Sequence, residues 1–331
     1  MKKVIGIFVI LLCLTLTIIY KYDDQEMKTN STKRVVGIVS DSSTKVNQNQ
    51  KMAWIDLTEK RIVKELPIDN IGHGLEATIS PDNQKMAENK WVNRMDLNLF
   101  LLDLQNNKLT QLTGNINGEI SRISWIDDNT ILYCFTSHNS KKYGLGMYLY
   151  TYNIKNKTNT PFFKNQSSNY RYDTVRYIPK LNKVIYAQGK ADDYFLSIPL
   201  GKAASNQLYW CNKDGTMIQK LTEIKNRTIG RVVPTYDNKN LIIEAYYVQK
   251  SVDKSDLYTY NFESKKTTLL LASSEKYPEH WNIISPAYNT VWFRSKGKIY
   301  EINTVNKNIK EVKIMNMKPG EEIVNFDLNQ S

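Results

Sequence analysis

The chain has 331 residues, with 45 Lys or Arg against 33 Asp or Glu, which gives a formal net charge of +12. A hydrophobic share of 41% is enough for a sizeable core and argues against a wholly disordered chain. Three cysteines and three histidines argue against a disulfide-stapled scaffold, most zinc-finger arrangements and a multi-histidine catalytic metal centre.

An apolar run at residues 4–20 follows Lys2 and Lys3. As a helix the run would span about 26 Å, slightly less than a hydrocarbon core of about 30 Å. No small-residue cleavage site follows it, which favours an uncleaved anchor over a cleaved signal peptide. The two lysines predict a cytoplasmic N-terminus and an exported remainder. We therefore expect a signal anchor or signal peptide at residues 1–21 and a flexible spacer at residues 22–33, so that the protein is single-pass in the cell membrane, or secreted if the signal is cleaved.

Cys13 lies within this run and allows a lipoprotein interpretation. Leu11 and Leu12 stand before it, where a lipidation site needs small residues, and apolar sequence continues after it. A buried helix of the folded domain is a further alternative, but the run has no polar face.

The remainder, residues 34–331, contains a short internal repeat, and such repeats decide the architecture of a chain. The pattern is an aliphatic residue, usually an aromatic residue, any residue, an apolar residue and then Asp or Asn. Its copies lie roughly 40 to 60 residues apart, as is typical of propeller blades. They are Met52–Asp56, Leu99–Asp103, Leu149–Asn153, Leu208–Asn212, Leu257–Asn261 and Ile299–Asn303.

Each copy is followed by a polar turn and a second apolar stretch, which predicts a β-hairpin. A further hairpin, with a turn rich in Pro, Asp or Asn, precedes most copies; the clearest is Thr78–Ala87. Two hairpins make a four-stranded sheet that cannot bury both faces alone, whereas several sheets arranged radially can. The sequence therefore predicts an all-β fold, a six-bladed β-propeller of four-stranded blades. We place the blades near 34–65, 76–113, 120–163, 173–222, 230–272 and 280–315, and residues 322–328 can return as a strand to close the ring.

The turn Ser80-Pro81-Asp82-Asn83, continued by Met86-Ala87 and then by Leu99–Asp103 and Leu112-Thr113, resembles the repeat of TolB-like propellers. The same repeat builds the non-catalytic propellers of prolyl-oligopeptidase-type enzymes. The resemblance covers about residues 34–315 and implies six blades, export, and a role in binding or scaffolding. Asn replaces the family's turn Gly in most copies, and the repeat residues carry no ligand-binding role.

Loops that leave the repeat are the candidate binding sites, because rigid scaffolds often carry function on such loops. The longest departure, Gly189–Asn206, contains an acidic and aromatic cluster. A second loop lies between the first two predicted blades and a third within blade three. Surface insertions and turn residues without a function are the alternative. The candidates are His73, Tyr143, Asp192, Asp193 and Tyr194.

The other chemistry-bearing residues give no catalytic pattern. His138 and His280 have no metal-ligand spacing with His73, no Gly-x-Ser-x-Gly elbow is present, and we predict no cofactor and no metal. Cys134 and Cys211 lie in neighbouring blades, where they form either a disulfide or, as we favour, part of the core. Core packing is also the favoured role of four repeat tyrosines, Tyr150, Tyr209, Tyr258 and Tyr300.

The sequence thus favours a membrane-anchored binding or scaffolding module, not an enzyme, for a protein or an anionic cell-envelope polymer. The alternative is an envelope lyase or hydrolase acting on carbohydrate or peptide at the channel mouth. A cluster of His, Asp, Glu or Arg from several blades around one channel end would favour the enzyme. The net positive charge alone suggests nucleic acid, but export argues against that partner.

Overall fold

The computed structural model describes residues 34–41, 50–68, 76–93, 96–114, 116–139, 146–192, 206–249 and 252–328. These residues are nearly all in strands and turns, so the all-β prediction is confirmed; a single 3₁₀ turn is assigned among them, at Pro179–Leu181. Within the described ranges no helix is long and apolar enough to cross a membrane. The predicted anchor and spacer, residues 1–33, lie outside these ranges.

Strands succeed one another as antiparallel hairpins along the whole described chain. The first twelve are β1 (Arg34–Asp41), β2 (Gln50–Asp56), β3 (Arg61–Ile68), β4 (Ala77–Ile79), β5 (Lys85–Trp91), β6 (Leu97–Asp103), β7 (Lys108–Gln111), β8 (Gly118–Asp127), β9 (Thr130–Ser137), β10 (Met147–Asn153), β11 (Thr158–Pro161) and β12 (Tyr170–Ile178).

The second twelve continue the same alternation of strand and turn. They are β13 (Lys183–Lys190), β14 (Asn206–Asn212), β15 (Gln219–Glu223), β16 (Thr228–Pro234), β17 (Asn240–Gln249), β18 (Val252–Asn261), β19 (Thr267–Leu271), β20 (Trp281–Ala287), β21 (Thr290–Ser295), β22 (Lys298–Asn303), β23 (Ile309–Glu311) and β24 (Glu321–Leu328).

The strands form four-stranded units, as predicted. Three sheets have the orders β12-β13-β14-β15, β16-β17-β18-β19 and β20-β21-β22-β23. An eight-stranded sheet consists of the units β4–β7 and β8–β11, which a single parallel pair joins, Leu97 with Glu119. In the remaining sheet β24 leads the order β24-β1-β2-β3, so the C-terminal strand pairs with the first strand of the described chain.

The internal repeat forms the third strand of each unit, namely β2, β6, β10, β14, β18 and β22. The side chain of its final Asp or Asn accepts hydrogen bonds from the following turn. The Oδ1 atom of Asp56 accepts hydrogen bonds from the backbone N–H groups of Thr58 and Glu59, at 2.8 and 2.9 Å. Asn303 bonds Val305 and Asn306 in the same way. These copies of the motif therefore share a turn in which a side chain satisfies backbone donors.

The departure from the TolB-like turn also has a physical explanation. The turns between first and second strands place an Asn in the left-handed region, with φ of 60° at Asn83, 49° at Asn182, 57° at Asn238 and 52° at Asn289. Asn adopts this conformation more readily than other residues with a side chain. Asn can therefore stand where the family repeat has Gly.

The hydrophobic core is divided into clusters, one at each junction between successive units. Cys134 and Cys211 are both free and fully buried in the cluster between β8–β11 and β12–β15, so the core interpretation is confirmed and the disulfide alternative is wrong. A cluster containing Val35 and Trp292 joins the first unit to the last. This junction, together with the pairing of β24 with β1, closes the ring.

The four repeat tyrosines pack against these clusters, as predicted. Each is partly buried and adjoins a fully or mostly buried aromatic or aliphatic cluster. Tyr209 stacks on Tyr186 with ring centroids 5.5 Å apart, and Tyr300 stacks on Phe293 at 5.6 Å. The aromatic richness of the chain thus serves packing between sheets.

Candidate functional site

Four of the first strands, β8, β12, β16 and β20, depart from regular pairing at polar residues. Register shifts fall between Ser121 and Ser124 in β8, Tyr172 and Thr174 in β12, Ile229 and Val232 in β16, and Trp281 and Ile284 in β20. A β-bulge breaks the strict alternation of a strand and re-aims a side chain. The residues in these bulges include Arg122, Asp173, Arg231 and Asn282.

Two of these bulged residues have a backbone that is unfavourable for a residue with a side chain. Arg122 has φ of 55° and Asn282 has φ of 53°. Asn tolerates this region, whereas Arg does so at a cost of about 1–2 kcal/mol. Such strain persists only where surrounding contacts hold it, and it concentrates at functional sites.

Arg122 is held by contacts from the units on either side. Its Nη1 atom donates to Oε1 of Glu76 at 2.6 Å, and its Nε atom donates to the carbonyl oxygen of Asp173 at 2.8 Å. Oε2 of Glu76 also accepts the N–H of Ile123 at 3.2 Å. The ion pair therefore ties β8 to the residue before β4, and the hydrogen bond to Asp173 ties β8 to β12.

The two partners stay charged over the physiological pH range. Burial alone would raise the pKa of Glu76, but Arg122 and Arg231 lower it below its usual value. Burial would likewise lower the pKa of Arg122, and the adjacent Glu76 carboxylate raises it instead. A permanently charged pair suits recognition better than proton transfer.

Glu244, on β17, behaves differently from Glu76. Burial raises its pKa to about 7, although Arg231 and Arg122 act in the opposite direction. Its carboxyl group lies near Ser255, and the residue as a whole is 3% exposed. A carboxyl group with this pKa can exchange a proton near neutrality, which makes Glu244 an acid–base candidate.

The first strands enclose a cavity of about 70 Å³ inside the ring. Its charged lining residues are Glu76, Arg122, Arg176 and Arg231, from four units, and Ile283 adds an apolar wall from a fifth. The Arg122 side chain retains 34% exposure even though it lies within the ring, so part of it faces this cavity. The lining carries three arginines against one carboxylate.

The cavity meets part of the expectation for an enzymatic channel. Arg and Glu from several units do come together there, whereas His280 is fully buried elsewhere, with its N–H donated to Ser255 Oγ at 2.7 Å. His138, with 25% of its side chain exposed, lies 4.0 Å from Glu119. Among the described residues no three His, Cys, Asp or Glu side chains group as metal ligands.

Antiparallel order fixes which ends of the strands share a face of the ring. The second and fourth strands end, and the first and third strands begin, at one face, which we call the loop face. The turns between first and second strands lie at the other, the turn face. Trp91, Tyr170 and Trp281 end or begin their strands at the loop face, each 40–45% exposed. Tyr236 and Tyr288 are exposed at the turn face, with ring centroids 5.7 Å apart.

Among the sequence-predicted site residues the structure describes Asp192, which is exposed and lies two residues beyond the end of β13, at the loop face. His73, Tyr143, Asp193 and Tyr194 lie outside the described residues, so their prediction as binding residues stays a prediction.

Sequence reasoning missed the arginines that line the cavity. Arg176 and Arg231 each stand three residues before a proline, Pro179 and Pro234, at the end of an apolar first strand. An arginine three residues before a proline, near the end of a first strand, therefore occurs in two units. This repeated position is the sequence feature that could have indicated charged residues in the cavity.

Comparisons with known proteins agree with this architecture. No protein-family model matches the chain, and no curated protein sequence matches it. Among solved structures the chain is similar to TolB from Acinetobacter baumannii, at 12% identity and a TM-score of 0.57 over 90% of this chain and 67% of that one. It is also similar to a chain of the nidogen/laminin complex, at 9% identity and a TM-score of 0.58 over 88% and 97%.

A third similar structure is an oligogalacturonate lyase in complex with manganese, at 13% identity and a TM-score of 0.53 over 87% of this chain and 82% of that one. All three are β-propellers. The chain is therefore a β-propeller similar to TolB, and at these identities the similarity establishes the fold alone.

Proposed function

We propose that the protein is a membrane-anchored, extracytoplasmic propeller of six blades that binds a protein or an anionic polymer of the cell envelope without catalysis. The count of six takes each half of the eight-stranded sheet as one blade. The observation that carries the proposal is the loop face, where Trp91, Tyr170 and Trp281 are exposed. Large aromatic side chains and arginines are the residues most enriched at binding surfaces.

The apolar run at residues 4–20 and the lysines before it support the anchor and the export. A net charge of +12 favours an anionic partner at the envelope surface, where each basic residue near anionic lipid contributes about 1 kcal/mol.

Export is tested by labelling a new cysteine in intact cells. Met217 is 75% exposed in the turn between β14 and β15, so Met217→Cys offers an accessible thiol. Cys134 and Cys211 are buried, so the unsubstituted chain is the control. We expect a membrane-impermeant maleimide to label the variant in the membrane fraction. Labelling only after cell lysis would contradict export, and labelled protein in the medium would indicate a cleaved signal.

The binding face is tested by crosslinking the full chain in intact cells. Trp91→Ala with Trp281→Ala removes two aromatic side chains from the loop face, and Tyr236→Ala with Tyr288→Ala removes two from the turn face. We expect the crosslinked partner to be lost from the first double variant and retained by the second. Loss from the turn-face variant alone, or from neither, would contradict the proposal.

An envelope lyase or hydrolase is the second candidate, and the pKa of Glu244 near 7 is the observation that favours it. Envelope glycans and peptides are incubated with the protein and with Glu244→Gln. Product formation by the unsubstituted chain, absent in Glu244→Gln, would replace the binding proposal with this one.

A further inference from the structure

The cavity inside the ring has room for more than a single water molecule. Its volume of about 70 Å³ exceeds the 10–15 Å³ or so that a single water molecule requires. The walls come from β4, β8, β12, β16 and β20, so the site is built by strands, which hold side chains more precisely than loops do.

The charge of the lining selects the class of ligand. Arg122, Arg176 and Arg231 can only donate hydrogen bonds, and the single lining carboxylate, Glu76, is already bonded to Arg122. Guanidinium groups match the planar carboxylate and the tetrahedral phosphate, both of which accept several hydrogen bonds. A cation would be repelled, because the three guanidinium groups outnumber the Glu76 carboxylate and the Glu244 carboxyl group that acts on Arg231 and Arg122.

Arg122 is oriented before any ligand arrives. The carbonyl oxygen of Asp173 and the carboxylate of Glu76 occupy two of its donors, which fixes the plane of the guanidinium. Its strained backbone, with φ of 55°, lies in the bulge that turns the side chain inward. Arg231 lies in the corresponding bulge of β16. A ligand therefore meets donors whose ordering cost has already been met by folding.

We infer that this cavity is an oxyanion-binding site in which Arg122, Arg176 and Arg231 hold a carboxylate or phosphate group. The oxyanion is either free in the medium or an acidic end group of a larger partner. The inference goes beyond the proposed function, because free phosphate would occupy the cavity whether or not the loop face binds a partner.

Calorimetric titration of the purified full chain with inorganic phosphate, at constant ionic strength and pH 7.5, tests the site. Arg176→Gln and Arg231→Gln each remove one lining charge, and Lys155→Gln removes one charge from the exposed turn between β10 and β11. We expect binding by the unsubstituted chain and by Lys155→Gln, and affinity at least tenfold weaker in each arginine variant.

Circular dichroism and thermal unfolding establish whether each variant folds. If one arginine variant does not fold, the result is taken from the other arginine variant. Absence of phosphate binding by the unsubstituted chain would overturn the inference, as would equal binding by the arginine variants and Lys155→Gln. A failed crosslinking result would leave this outcome untouched, so the two proposals fail separately.

Competition identifies the source of the oxyanion. A short peptide with a free C-terminal carboxylate is added to the phosphate complex, and its C-terminally amidated form is the control. Displacement by the free carboxylate alone supports the site and assigns the ligand to a partner's end group. Retained phosphate supports the site and assigns the ligand to a free oxyanion. Equal displacement by both peptides would contradict recognition of the carboxylate.

Discussion

The third and first strands of the units differ in how they pair with the second strand between them. Every second and third strand pair keeps an unbroken register, as β13 and β14 do over seven residues from Lys183 to Gly189. The first strands β8, β12, β16, β20 and β24 each contain a register shift against the second strand.

The difference separates the residues that build the ring from those that line it. Regular pairing alternates side chains strictly, so the third strands deliver their apolar residues to the clusters between units. The bulges break that alternation and bring charged residues to the ring interior at the cost of local strain. Stability and the candidate site can therefore be perturbed independently.

The largest effect is expected from the regular third strands. Leu99 is fully buried in β6 and belongs to the cluster between β4–β7 and β8–β11. Leu99→Ala leaves a cavity and should lower the free energy of unfolding by about 3 kcal/mol, measured by urea titration. Phosphate affinity should stay unchanged while the protein is folded. A stability loss below about 1 kcal/mol would contradict the role given to this strand.

Two buried carboxyl groups, Glu88 on β5 and Glu244 on β17, should make the stability of the protein depend on pH. Burial raises the pKa of Glu88 and of Glu244 to about 7, above the value of 4.5 for an exposed Glu. Their contribution to stability is thus full below pH 4.5 and is lost as the pH rises through 7. Replacement by Gln removes this titration and should raise stability at pH 8 by up to about 3 kcal/mol, with little change at pH 4.5.

Only one of these two substitutions should change phosphate binding in the cavity. Glu244 acts on Arg231 and Arg122, whereas the charged group that acts on Glu88 is Lys90. Above pH 7, Glu244→Gln should therefore strengthen phosphate binding and Glu88→Gln should not. Urea titrations at the two pH values and calorimetry at pH 8 measure both effects. An equal change in phosphate affinity in both variants would show that Glu244 does not bear on the channel.

A smaller loss is expected from the ion pair of the bulged strand. Arg122→Gln removes the cation that is hydrogen-bonded to Glu76 and should cost about 2 kcal/mol, below the range for fully buried pairs because both groups retain some exposure and Arg231 still acts on Glu76. Adding Glu76→Gln should recover part of this loss, since no unpaired charge then remains. A double-mutant cycle by urea unfolding measures the coupling, and strictly additive losses would speak against the pair.

The smallest effect is expected at the turn between the first and second strands of β4–β7. Asn83 has φ of 60°, and its Oδ1 atom is buried without a hydrogen-bond partner among the described residues. Asn83→Ala should cost about 1 kcal/mol, because Ala tolerates this conformation poorly. Asn83→Gly should cost nothing, as it restores the residue of the family repeat. Thermal unfolding compares the two, and equal losses would refute the conformational explanation.

Much of the ring could be predicted from the sequence because its signals are local. The repeat at Leu99–Asp103 fixes a strand and the side-chain-bonded turn after it, and the turn at Ser80–Asn83 fixes a hairpin. The sequence predicts that residues 322–328 close the ring, and β24 does so by pairing with β1. Alternation and turn chemistry need no knowledge of distant contacts.

The cavity inside the ring could not be predicted in the same way, because a bulge depends on the contacts that its residues make with other units. Arg122 takes its conformation from contacts with Glu76 and Asp173, which lie 46 and 51 positions away in the sequence. The predicted loop residues follow from length and composition alone, and of these Asp192 is exposed at the loop face. The one sequence feature that could have indicated the cavity is the arginine three residues before a proline, at Arg176 and Arg231.

The bulged first strands build the oxyanion site inferred inside the ring. The most direct measurement is anomalous diffraction from crystals of the protein grown with tungstate, a tetrahedral oxyanion with a strong anomalous signal. We expect an anomalous peak within hydrogen-bonding distance of the guanidinium groups of Arg176 and Arg231. Tungstate confined to surface lysines, with no peak in the channel, would contradict it.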